Sequence, residues 1–214
     1  MIRGQITIIH SDPDFLVVDK PGGLLAVPGR GAAKQDCVVS RVRSLYGDII
    51  KQPAVHRLDM YTSGIMLLAR NTSSHRALSR QFEQRKVKKE YLALLDGTVA
   101  KAGGEIELAF RLDPDNRPHQ IYDPVQGKTG ITLWKNLGTE QGRSRILFSP
   151  ITGRTHQLRL HAAHHKGLGV PIAGDSLYGH GRDGDLMYLH ACTLAFFHPL
   201  SGEPLLFKST PPWE

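Results

Sequence analysis

His56-Arg57-Leu58-Asp59-Met60-Tyr61-Thr62-Ser63-Gly64 runs straight into Ile65-Met66-Leu67-Leu68-Ala69, a short unbroken apolar run. A polar segment that ends on glycine and feeds such a run spells a loop followed by a buried strand. A carboxylate on that loop, Asp59, is well placed for chemistry, because a sheet can hold its loop rigid while the side chain faces a cleft. A lone acid more often makes a surface ion pair or caps a turn. The residues around it have to decide.

Moving outward, Phe15 to Asp19 and Tyr91 to Leu95 are also short and apolar, and read as strands. Asn71 to Lys86 predicts a helix: Asn71 or Thr72 caps it, Ala77, Leu78 and Phe82 recur at helical spacing, and the other face is basic. Ile131 to Lys135 and Ser144 to Phe148 flank a polar, Gly-containing stretch and predict a hairpin, with a turn at Pro150 to Gly153. Thr155 to Lys166 has no Gly or Pro and sets Leu158, Ala162 and His165 on one stripe, which predicts a helix of about three turns. Leu189 to Phe197 and Leu205 to Lys208 close the chain as strands around a Pro199 to Gly202 turn.

Gly22 to Ala33 carries four glycines and one proline. It reads as a mobile surface loop from which Arg30 and Lys34 can meet phosphate. Asp96 to Gly104 is polar and Gly-rich enough to join two lobes, yet there is no repeat and no long linker. One domain over residues 1–214, built on one continuous sheet, is the expectation.

The 214 residues suffice to bury a core without metal or disulfide support. The 27 Lys and Arg against 20 Asp and Glu give a net charge of +7, which favours a polyanionic partner. Cys37 and Cys192 lie far apart among small or apolar residues and read as buried, reduced thiols, as in a cytoplasmic protein. Met1 to Phe15 lacks the form of a signal peptide, and every apolar run is far shorter than the roughly 18 residues of a membrane span. A soluble protein with no membrane partner is expected.

Three motifs, in order, change the weight given to Asp59. His56-Arg57-Leu58-Asp59 is followed after two residues by Thr62-Ser63-Gly64; Lys89-Glu90-Tyr91 follows the predicted helix; and Thr152-Gly153-Arg154-Thr155-His156-Gln157-Leu158-Arg159 opens the next. In this set the sequence resembles the RluA family of pseudouridine synthases. The likeness extends from Phe15, through Val18-Asp19-Lys20-Pro21-Gly22-Gly23-Leu24, to His198-Pro199 and Pro211. Val27-Pro28-Gly29-Arg30 and Asn116-Arg117-Pro118 look most like the dual-specificity branch that modifies large-subunit ribosomal RNA and a tRNA anticodon stem-loop.

The resemblance implies an α+β catalytic domain: a mixed, mainly antiparallel sheet with flanking helices and loops and a central active-site cleft. Only 55 residues precede His56, and they already match that domain, so no N-terminal S4-like module is expected. By the same resemblance Asp59 is the catalytic carboxylate, Tyr91 the aromatic that stacks on the target base, and Arg159 the cation paired with the aspartate. Arg57 enters the space the flipped base leaves, where a planar cation can stack and bond phosphate. Arg76, Arg80, Arg85, Lys86, Lys88 and Lys89 form a basic cluster before Tyr91; this cluster and Arg154 are candidates to hold the RNA backbone.

The reaction needs no cofactor and no metal. The N1 to C1′ bond breaks, uracil turns in place, C5 joins C1′, and the C5 proton leaves. One carboxylate can serve by attack on sugar or base or by removing a sugar proton, because uracil can depart carrying negative charge. Glycoside hydrolysis asks for a second carboxylate, and none stands out. Gly127-Lys128-Thr129 lacks the earlier glycine of a phosphate loop, Tyr122 standing in its place. His156, His161, His164 and His165 fall on one predicted helix, but without any zinc-type spacing. The expected partner is a structured rRNA or tRNA stem-loop, and the expected state a monomer. A non-catalytic RNA-binding protein and a nucleoside or glycoside hydrolase are the competing classes.

Overall fold

The computed structural model describes residues 4–214; Met1–Arg3, which head the segment read above for signal-peptide character, lie outside them. In chain order the elements are β1 (Thr7–Ser11), β2 (Phe15–Lys20), α1 (Val38–Leu45), β3 (Ser63–Ala69), α2 (Thr72–Glu83), β4 (Lys88–Leu95) and β5 (Gly103–Leu112). They continue with β6 (Gln120–Tyr122), β7 (Lys128–Glu140), β8 (Arg143–Pro150), α3 (Gln157–Ala163), β9 (Leu189–Phe197) and β10 (Pro204–Lys208). The chain separates into two compact units, Met1–Lys89 with His190–Glu214, and Glu90–Leu189.

In the first unit, strands run β1-β2-β3-β9, with β10 on β9. β3 pairs with β9 in parallel, whereas β1 with β2, β2 with β3 and β9 with β10 pair antiparallel. Every residue of β3 is buried, and all of β2 except Asp19, which explains why these central strands read as continuous apolar runs. Leu78 and Phe82 of α2 pack on Phe15, Ile65, Leu67 and Phe196. The cap is the expected Asn71, whose Oδ1 accepts the Ser74 amide at 2.9 Å. Gln81 fastens the far end of the helix by exchanging two hydrogen bonds with the Phe197 backbone.

Gly64 is required by the sheet. Its φ is +111°, and a Cβ there would sit 2.4 Å from the carbonyl oxygen of Ala191, its register partner on β9. Helix α1 is not among the elements read from the sequence. A reciprocal cap between Cys37 and Ser40 starts it, and Val38, Val39 and Val42 bury one face. Cys37 is buried as expected, Cys192 half-buried, and both are unbridged.

In the second unit, β4 pairs with β8, β8 with β7, β7 with β5 and β5 with β6, all antiparallel. The β7–β8 hairpin turns at Gln141 and Gly142, whose φ values of 51° and 78° are those of the tight turn that matches strand twist. Asp96 to Gly104 does not divide the units. Gly103 and Gly104 begin β5, and Val99 is tied through its amide to Ser144 Oγ and through its carbonyl to Asn136.

Helix α3 is shorter than its sequence predicts. His156 enters it with a left-handed φ of 55°, and His164 leaves it extended. The carbonyls that another turn would use are taken by the returning chain: Leu168 N–H bonds His161 O, and Val170 N–H bonds Ala162 O, both at 2.9 Å.

Candidate active site

The Asp59 loop is pinned from below by a charge. Lys20, the last residue of β2, is fully buried and donates to the carbonyls of Pro21 at 2.9 Å, Leu24 at 2.8 Å and Met60 at 2.9 Å. Three acceptors match the three hydrogens of an ammonium. Burial pushes the Lys20 pKa down to about 7, against Asp59 and Asp19, which both hold it up. Met60 O also accepts the Gly23 amide at 2.9 Å, and Asp59 O accepts the Thr62 amide at 3.2 Å, which closes the turn. The front of the Gly22 to Ala33 segment is therefore anchored, with Leu24 and Ala26 buried; Arg30 and Lys34 remain exposed.

Each position of the motif has its own environment. His56 Nε2 accepts the Leu67 amide at 2.9 Å and its ring stacks on Phe82 with centroids 4.8 Å apart. Desolvation first, and the Lys89 charge second, push the His56 pKa down to about 3, so it stands as a neutral acceptor. Leu58 is buried, Arg57 exposed and Asp59 half-buried. Behind them Ser63 Oγ bonds His190 Nδ1 at 2.9 Å, His190 Nε2 bonds Ser209 Oγ at 3.1 Å, and Ser209 donates to Asp19.

In the second unit Tyr91 lies half-buried on β4, opposite Phe148 of β8. The Thr152 to Arg159 motif is organised by Gln157. Its carbonyl oxygen accepts from Thr152 Oγ1 at 2.7 Å and the Arg154 amide at 3.0 Å, while its amide donates to Ile131 O and Thr132 Oγ1. Arg159 is 3% exposed, and Asp175, fully buried, takes its Nε at 2.8 Å and its Nη2 at 2.6 Å. Burial alone raises the Asp175 pKa, but the Arg159 hydrogen bond and charge, with the Leu177 and Tyr178 amides, outweigh it and hold the carboxyl below its usual range. The guanidinium also lies 5.3 Å from the Tyr178 ring centroid.

Lys20 and Asp175 are the two site residues that sequence reasoning did not single out. Lys20 stands inside the Val18–Leu24 motif without a role, and Asp175 lies outside every motif read from the sequence. The proposed RNA contacts Arg57, Arg76, Arg80, Lys86, Lys88 and Arg154 are exposed, whereas Lys89 is half-buried and its ammonium pKa is lowered by burial. The four histidines do not gather. His161 is buried edge-on against Phe110 with its pKa pushed down to about 4 by desolvation, and His156 Nδ1 bonds Tyr178 Oη at 2.9 Å. His164 and His165 lie past the helix.

Residues 14–164 match the family model described as RNA pseudouridylate synthase. The chain belongs to that family. As a pseudouridine synthase it is 42% identical, over 96% of its own length and 93% of the other's, to the dual-specificity RNA pseudouridine synthase RluA of Pasteurella multocida. Its likeness to the protein of the same name from Haemophilus influenzae is 40% identity over 97% and 94% of the two chains. Among solved structures, this synthase resembles human RNA pseudouridylate synthase domain containing 1, with a TM-score of 0.79 and 30% identity over 98% of its chain and 85% of the other. No helix among the described residues of the synthase is long and apolar enough to cross a membrane.

Proposed function

We propose that this synthase isomerises uridine in a stem-loop of large-subunit ribosomal RNA, of a tRNA anticodon arm, or of both, with Asp59 as its catalytic carboxylate. The observation that carries the reading is the Asp59 loop: a motif carboxylate on a turn whose next carbonyl is bonded to a fully buried lysine. The likeness to dual-specificity enzymes over nearly the full chain supports the choice of RNA.

In this reading the target uridine leaves its stack, at an unstacking cost of a few kcal/mol. Tyr91 offers a stacking face worth about 1–3 kcal/mol per base. Asp59 acts at the nucleoside, and Arg159 steadies its charge. Arg57 fills the emptied place in the RNA, while Arg76, Arg80, Lys86, Lys88, Lys89 and Arg154 contact the backbone. The enzyme works as a cytoplasmic monomer without metal or cofactor.

The test uses tRNA and ribosomal RNA labelled with tritium at uridine C5. Purified protein is expected to release tritium and to leave pseudouridine in the chain. Asp59→Asn is expected to stop release while RNA binding stays within a few-fold of the parent. Normal turnover by that variant, or release of free uracil in place of isomerisation, would refute the reading.

A further inference from the structure

A groove of about 640 Å3 opens between the Val27–Pro28 segment, helix α1 and residues 51–54, all within the first unit. It is built from two kinds of surface. Val27, Pro28 and Val39 give it apolar walls, and Arg43 and Lys51 put two cations on it. The nearby acids are already engaged: Asp36 is bound to Arg41, and Asp48 to Arg70. No ion pair among the described residues involves Arg43 or Lys51. The groove therefore faces solvent with uncompensated positive charge and no lining carboxylate.

Its wall is held in place. Gln35 Nε2 bonds Gly29 O at 3.0 Å and Gly31 O at 2.8 Å, and Gly29 N–H bonds Lys34 O at 2.8 Å, so the turn after Pro28 is closed on itself. Val38 N–H bonds Leu25 O at 2.9 Å and joins that turn to the start of α1. A concave site that is preformed suits a ligand that must be taken from solution without reorganising the protein.

We infer that this groove seats one unstacked nucleotide of the substrate RNA, apart from the uridine that reacts. Its base lies against Val27, Pro28 and Val39, and its flanking phosphates lie on Arg43 and Lys51. Gln52, also on the lining, offers an amide that can both donate to and accept from a base edge. Single-stranded loops are recognised by such a pairing of a cationic track with a face for the base. The inference rests on the RNA substrate proposed above and adds a second binding position to it.

The experiment measures kcat, KM and the salt dependence of binding on bulk tRNA carrying 5-tritiated uridine, for the parent, for Arg43→Glu with Lys51→Glu, and for Val27→Trp. Loss of two phosphate contacts should raise KM at least ten-fold and flatten the slope of log K against log salt by between about one and two. Filling the groove with Val27→Trp should raise KM with the slope unchanged. Methyl resonances of Val27 and Val39 in Asp59→Asn protein should shift when the same RNA is added. An unchanged salt slope in the charge variant overturns the inference. So does a flattened slope in which Val27→Trp leaves KM alone and the methyl resonances stay in place, since the RNA then touches only the rim. Absence of tritium release by the parent protein would instead count against the proposed function, and so the two failures are distinguishable.

Discussion

Lys20 and Arg159 are both cations almost entirely removed from water, yet the two units surround them differently. Lys20 has three neutral carbonyls and its anionic neighbours only at the level of charge; Arg159 has a carboxylate clasped to two of its nitrogens. Carbonyl dipoles replace the hydration of an ammonium only in part, so its charge stands near the point of loss at neutral pH. An ion pair with two charge-assisted bonds keeps the guanidinium charged at any working pH. The difference suits what each supports. Lys20 sets a partly charged ammonium under the Asp59 loop, within reach of the Asp59 and Asp19 charges, whereas Asp175 fixes the direction of Arg159.

The comparison breaks most readily at Asp175. Asp175→Asn takes from a buried guanidinium the carboxylate that holds two of its nitrogens and is expected to cost about 3 kcal/mol or more in urea unfolding. Turnover should fall with it, since Arg159 loses the group that orients it. A loss below about 1 kcal/mol would mean that the pair is not what holds this turn.

Lys20→Met comes next. The Pro21 and Leu24 carbonyls lose the ammonium, while Met60 O keeps the Gly23 amide, at a cost of about 1–3 kcal/mol. The pH dependence sharpens the contrast. Because the folded pKa, about 7, lies below the unfolded value near 10.5, the unfolded chain holds the extra proton between them. Stability of the parent should therefore rise as pH climbs through that window, and the Met variant should lack this rise. Identical slopes in parent and variant would remove the buried charge from the account. Changes at the exposed cations of α2 and its C-terminal side should be smallest. Arg80→Ala with Lys86→Ala is expected to shift stability by no more than about 0.5 kcal/mol while flattening the salt dependence of RNA binding.

Much of this was legible in the residues, and for physical reasons. The apolar runs of β2 and β3 advertise burial on both faces, and the Asn71 cap with Leu78 and Phe82 marks α2. What stayed hidden depends on partners distant in sequence. Nothing local says that Lys20 turns inward, because its three acceptors are placed by the fold of the Asp59 loop. Asp175 is ordinary until Arg159, 16 residues earlier, is set beside it. Helix α3 stops early because a returning segment captures its carbonyls, which periodicity within the helix cannot report. Helix α1 went unread because β-branched valines carry little helix signal, and its start is set by the Cys37–Ser40 cap.

The parallel contact of Gly64 with Ala191 also governs the order of events during synthesis. Ser63 and His190, bonded in the finished sheet, stand 127 residues apart, and the whole second unit is translated between them. A nascent chain can thus display the Asp59 motif while β3 still lacks its neighbour on one side. The sheet beneath that loop closes only once β9 has cleared the ribosome.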